Sequence, residues 1–162
     1  MSVKCSPLKK GSVSHRVLVE RLSVAHGADK RVVCGGRMYD NLELPGFVAA
    51  TDGRPAGFLT YHRKGRVMDL VSIASRVSRR GVGTALLRAL FRLARREGCR
   101  KVRVVTTNAN PPALLFYQRR GFVIAGVRCN AFQKARKLKP SIPMRGYRGI
   151  PIRDEIVLEK KL

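Results

Sequence analysis

A chain of 162 residues with 44% hydrophobic composition is long enough to bury one core and too apolar to stay disordered. Its 34 Lys and Arg against 10 Asp and Glu give a formal charge of +24, which favours polyanionic partners and says nothing about fold. Four cysteines with no CxxC pair signal neither a zinc site nor a disulfide framework, and no apolar run approaches membrane-spanning length. Met1 to Gly11 lacks the apolar stretch of a signal peptide, so a soluble cytoplasmic protein with free thiols, no metal and no membrane attachment is expected.

In chain order, residues 1–12 read as a basic flexible tail and 13–162 as a single domain. "HRVLVERLSV" (15–24) alternates at Val17 and Val19 and reads as a first strand. "KRVVCGGRMYD" (30–40) is another brief apolar run. "GFVAAT" (46–51) and "AGFLTYH" (56–62) are strand-like and flank the turn Asp52-Gly53-Arg54-Pro55; "RKGR" (63–66) turns again into "VMDLVSIAS" (67–75). The spacing predicts an antiparallel meander. Residues 80–98 predict a helix, with Leu86, Leu90 and Leu93 on one face and Arg88, Arg92 and Arg95 opposite; Gly98 stops it. "KVRVVTT" (101–107) is a strand, "NANPP" opens a short helix with prolines in its first turn, and 122–128 is a strand. Residues 131–139 form a basic helical turn or two, and 153–162 a closing strand. The order predicts a mixed α/β domain with a βαβ-like centre.

The chemistry-bearing stretch is "RVSRRGVGTALLR" (76–88). A strand that runs into a glycine loop opening a helix is a common phosphate cradle, because the first helical N–H groups lack partners and the helix dipole is positive there. Gly81 and Gly83 lie where that loop falls, with Arg76, Arg79 and Arg80 adding charge. The pattern is neither Walker nor GxGxxG. By itself it also suits a nucleic-acid contact or an ordinary helix start in a basic protein.

A second constellation lies downstream. "NANPPALLFYQRRGF" sets Asn110 and Tyr117 seven residues apart, about two turns along one helix face. A polar residue and a phenol so placed suit a ligand pocket, and equally a packed core tyrosine. Together the two stretches resemble the GNAT superfamily of acetyl-CoA-dependent N-acyltransferases. The family's Arg/Gln-x-x-Gly-x-Gly/Ala loop is met by Arg80, Gly83 and Ala85. Its Asn-x-x-Ala-x-x-x-Tyr-x-x-x-Gly-Phe signature is met by Asn110, Ala113, Tyr117, Gly121 and Phe122. The likeness is close over 46–128.

The resemblance implies a mostly antiparallel central sheet with a bulged, splayed strand pair and flanking helices. It implies direct acetyl transfer from acetyl-CoA to a primary amine, without an acyl-enzyme. By position the bulged strand is 67–75, which places Ile73, Ala74 and Ser75 beside the cofactor. The amides of Arg80, Gly81, Val82, Gly83, Thr84 and Ala85 would take the pyrophosphate. Tyr117 matches the family's general acid and also lies on the cofactor side; Asn110 matches a pantetheine or water contact, and Asn108 is a further cofactor-side position. Asp69 is the carboxylate nearest the implied reaction centre and the expected base, with His62 on the next strand as an alternative.

Residues shaping the acceptor side are expected in 39–45 and 142–147. The charge disfavours a lysine-rich acceptor and favours an anionic one, whether a small amine, an acidic peptide or an aminoacyl-tRNA. The competing class is a basic nucleic-acid-binding module on the same scaffold, with acetyl-CoA as a regulatory or vestigial ligand; 6% aromatics and no Trp leave it without a stacking platform. A monomer or a homodimer both fit.

Overall fold

The computed structural model describes residues 3–8, 12–25, 30–76 and 80–162. It divides the chain into two compact units, one made of residues 1–32, 39–102 and 162, the other of 33–38 and 103–161.

In the first unit, β1 (Val3–Pro7), β4 (Gly46–Thr51), β5 (Arg54–Lys64) and β6 (Val67–Ser75) lie in that order, each antiparallel to the next. The meander is the one the turn signals predict, and its first turn is tighter than expected. Asp52 (φ 50°) and Gly53 (φ 74°) make a two-residue hairpin, so Arg54 and Pro55 already belong to β5. Two bulges shape the ladder. Ala49 pairs with Gly57 and Ala50 with Pro55, leaving Ala56 extra on β5; Thr60 pairs with Ser72 and Tyr61 with Leu70, leaving Val71 extra on β6. The second bends the strand that leads to the glycine loop.

Two expectations at the start of the chain are corrected. Val3–Pro7, read as part of a flexible tail, is a strand paired with β4 from Val3 opposite Thr51 to Pro7 opposite Phe47. Residues 13–25, read as a strand at 15–24, form the helix α1 (Val13–Ala25). The reason is packing: Leu18, Val19 and Leu22 fall at helical spacing and join Leu42, Phe58, Leu8 and Ala74 in one core cluster. That shared face outweighs the β preference of alternating valines.

The helix α2 (Val82–Arg96) matches its predicted stripe. Leu86, Leu87, Leu90 and Leu93 are buried, and Arg88, Arg92 and Arg95 are exposed. A small hairpin, β2 (Arg31–Cys34) with β3 (Arg37–Asp40), turns on Gly35 and Gly36, both at positive φ.

In the second unit, β9 (Glu155–Lys161) is the middle strand between β7 (Lys101–Thr107) and β8 (Val123–Arg128). β8 and β9 are antiparallel, with Ala125 extra on β8. The helices α3 (Pro111–Gln118) and α4 (Ala131–Leu138) complete it. A second core gathers Ala109, Phe132, Ala135 and Ile152 with Val33, Ile142 and Ile150.

Candidate functional site

In the first unit, β6 ends on half-buried Ile73, Ala74 and Ser75, and α2 begins at Val82. Arg79 falls outside the described residues. Gly81 is the residue before the helix, in left-handed backbone (φ 76°, ψ −2°), a conformation that costs glycine nothing. No side chain caps this helix, and its first turn holds no acid. The first helical bond runs from Ala85 N to Gly81 O at 2.9 Å. The Ala85 amide closes the first turn, and the amides of Val82 and Gly83 precede that first helical bond. Arg76 and Arg80, in the segment before the helix, are exposed.

Gly57 explains how the loop is positioned. A Cβ there would sit 2.6 Å from Ala74 O and 2.7 Å from Val82 Cγ1, so only a bare backbone lets β5 lie against the end of β6 and the start of α2. The Arg76 amide then donates to Ala56 O at 2.8 Å. Asp69 is half-buried on β6, directly opposite His62 on β5; the Tyr39 ring lies 5.5 Å from the His62 ring. A buried pair that the sequence did not signal, the Thr60 hydroxyl donating to Asn41 Oδ1 at 2.7 Å, ties the turn after β3 to β5 at the level of the β6 bulge.

In the second unit, Asn108 follows β7 and clamps it to the chain before β9. Its Nδ2 donates to Pro151 O, and its Oδ1 accepts from the amides of Arg153 and Asp154, all at 3.0 Å. Its own amide donates to Asp154 O. These bonds spend the side chain expected on the cofactor side. Asn110 caps α3, accepting the Ala113 amide at 3.3 Å, with prolines in the first two helical positions.

Tyr117 is the one residue of α3 that is buried, at 6% exposure. Its ring packs edge-on against Phe116 and Phe122, with centroids 5.2 and 5.5 Å away. Gly121 (φ 82°) turns the chain so that Phe122 donates back to Tyr117 O at 3.2 Å. Burial pushes the Tyr117 hydroxyl far above the usual phenol range, and the nearby Cys34 thiol adds to this. The phenol is neutral at any physiological pH.

Arg136 on α4 is a second organiser without a local signal, one arginine among many. Its guanidinium donates to Pro143 O at 2.8 Å and Ile152 O at 2.9 Å, fastening the segment after α4. Asp154 accepts from the Asn130 amide and from Arg153, and these bonds hold its carboxyl below the ordinary carboxylate range. Among the described residues, no group of three His, Cys, Asp or Glu could hold a metal ion. No helix among them is long and apolar enough to cross a membrane.

The first unit has a bulged strand leading to a glycine-started helix, the second a capped helix carrying a buried phenol, and both are parts of a mixed α/β protein. The comparisons with known proteins make the class specific. Residues 19–122 match the model of the acetyltransferase (GNAT) family, and the chain belongs to that family. It is 42% identical over 119 residues to the uncharacterized protein YdhI of Bacillus subtilis (strain 168), covering 73% of this chain and 74% of the relative. Among solved structures, an IAA acetyltransferase from Bacillus cereus ATCC 14579 superposes with a TM-score of 0.72 at 22% identity, over 99% of this chain and all of the other. A GNAT family acetyltransferase from Elizabethkingia anophelis with acetyl-CoA bound gives 0.71 at 18% identity, over 99% and 98%. At these identities the superpositions speak for the fold alone. The nucleic-acid-binding alternative finds no support in these matches.

Proposed function

We propose that this chain transfers an acetyl group from acetyl-CoA to the amine of an anionic acceptor. The observation that carries the reading is Tyr117, a buried phenol held protonated at the position of the family's proton donor. Family membership and the acetyl-CoA of the Elizabethkingia neighbour support the cofactor. The residues present fit it: Gly81 has no side chain to cap α2, its first turn has no acid to repel phosphate, and exposed Arg76 and Arg80 precede it.

When bound, acetyl-CoA supplies an activated thioester. In this reading the amides of Val82, Gly83 and Thr84 hold the pyrophosphate, and the backbone of Ile73, Ala74 and Ser75 steadies the acetyl arm and its carbonyl oxygen. Asn110 keeps Nδ2 for the pantetheine or a water while Oδ1 caps the helix. Asn108 serves instead as the clamp behind this segment. Asp69 takes the proton that the attacking amine sheds, with His62 across the ladder as the alternative acceptor.

Tyr117 acts on the leaving sulfur. A free thiol ionises at about 8.5, well below this phenol, so Tyr117 stabilises the departing thiolate as a hydrogen-bond donor. The proton released by the amine then balances the thiolate.

The test is Tyr117→Phe, assayed with acetyl-CoA across amines, acidic peptides and charged tRNAs. We expect kcat to fall by about 10²- to 10³-fold, the usual effect of losing one donor that stabilises developing charge, while acetyl-CoA affinity stays within about threefold. Unchanged kcat would remove Tyr117 from the chemistry. A matching loss of cofactor binding would make it structural.

A further inference from the structure

Among the described residues, three other than glycine take left-handed backbone: Asp52 (φ 50°), Asn130 (φ 57°) and Arg148 (φ 48°). Asp and Asn enter that region readily because their short side chains bond locally. An arginine gains nothing comparable, so the surrounding chain must impose the conformation.

The braces are explicit. Gly146 N donates to Ile150 O at 2.8 Å, Tyr147 N to Ala109 O at 2.9 Å, and Ile152 N to Met144 O at 2.9 Å. The Arg145 guanidinium donates to Gly149 O at 2.8 Å, and Arg136 binds Pro143 O and Ile152 O. Gly146 lies so close to Ala109 that a Cβ would come within 2.6 Å of its oxygen. None of these contacts uses the Arg148 side chain. Its guanidinium instead sits 5.3 Å from the centre of the Tyr147 ring, within cation–π range, and both residues are exposed. No carboxylate among the described residues pairs with it.

The anchor of this loop is Ala109, the residue before the Asn110 cap of the helix that carries Tyr117. The geometry points to Tyr147 and Arg148 as a carboxylate-recognition site, in which Arg148 reads the carboxylate of the acceptor and Tyr147 packs on its adjoining apolar or aromatic part. A guanidinium presents a planar fork that matches a carboxylate in two parallel bonds. The neighbouring Arg145 turns one N–H to Gly149 O and braces the loop, whereas the Arg148 fork makes no hydrogen bond among the described residues. This inference rests on the transferase reading and names its acceptor class as carboxylate-bearing amines.

Two acetylated probes that differ only in the carboxylate, N-acetyl-phenylalanine and N-acetyl-phenethylamine, test it by calorimetry on the full chain. The carboxylated probe should bind about tenfold tighter or more, the scale of a charge-assisted bidentate pair. Arg148→Asn and Arg148→Gly both fit left-handed backbone, and each should bring the two affinities within about twofold. Arg148→Lys, a point charge without the fork, should keep part of the difference. Equal affinities in the unaltered chain, no binding of either probe, or a preference that survives both Arg148→Asn and Arg148→Gly would overturn the assignment. Tyr117→Phe separates it from the transferase reading. That variant should keep the binding preference, so a chain that shows the preference and transfers no acetyl group refutes only the reaction.

Discussion

The helices α2 and α3 both follow a strand, yet they begin in opposite ways. α2 starts from left-handed Gly81, which has no side chain to cap it, and α3 starts from Asn110, whose own oxygen takes the Ala113 amide before two prolines. Unpaired amides at a helix start are costly to leave without a partner, so a chain normally closes them with a cap worth about 1 kcal/mol. Where the residue at the start cannot cap, as at Gly81, the proposed role as a phosphate cradle gives those amides a partner from outside. The contrast is between a helix start proposed to serve a ligand and one that caps itself.

The sharpest way to break this contrast is to give α2 its own anion. Gly81→Asp places a carboxylate at the helix start, where it competes with phosphate both for the amides and for the dipole. The KM for acetyl-CoA should rise by about tenfold or more, while the thermal midpoint changes little, because a charge at the cap offsets backbone strain. An unchanged KM would show that the open amides do not hold the cofactor.

The pH dependence of Tyr117 comes next. Its folded-state pKa is raised above the unfolded value near 10, so the stability from burying the neutral phenol is complete below about pH 10 and lost as pH rises further. We expect kcat to show no descending limb before about pH 10, and the unaltered chain to lose thermal stability above it more steeply than Tyr117→Phe. A fall in kcat centred near pH 8 that Tyr117→Phe abolishes would show that burial does not govern this phenol.

The smallest effect belongs to the closed helix. Asn110→Ala removes the α3 cap and should cost about 1 kcal/mol in chemical denaturation. If Asn110 also steadies the cofactor arm, the KM for acetyl-CoA should rise a few-fold; a stability loss alone would make it purely a cap.

Much of this was legible in the chain itself. The α2 stripe is strong because Leu86, Leu90 and Leu93 repeat at one spacing with arginines opposite, and no other element fits that period. The α1 segment is illegible locally because Val17 and Val19 alternate like a strand, while the contacts that decide it, to Leu42 and Phe58, come from distant parts of the chain. The clamp that Asn108 makes was not legible for the same reason: its three side-chain partners are at 151, 153 and 154. Arg136 and Arg148 were hidden among 34 basic residues until hydrogen bonds and backbone angles singled them out.

The sequence by itself determined the two helix starts, and with them the family. A glycine without acids in the next turn, and an asparagine before two prolines, act on amides within one turn of themselves. Long-range packing alone decided that Tyr117 is buried, that Asn108 is a clamp, and that Arg148 has no carboxylate partner among the described residues. Burial and bracing come from residues far apart in the chain, and local pattern carries no record of which distant segments will meet.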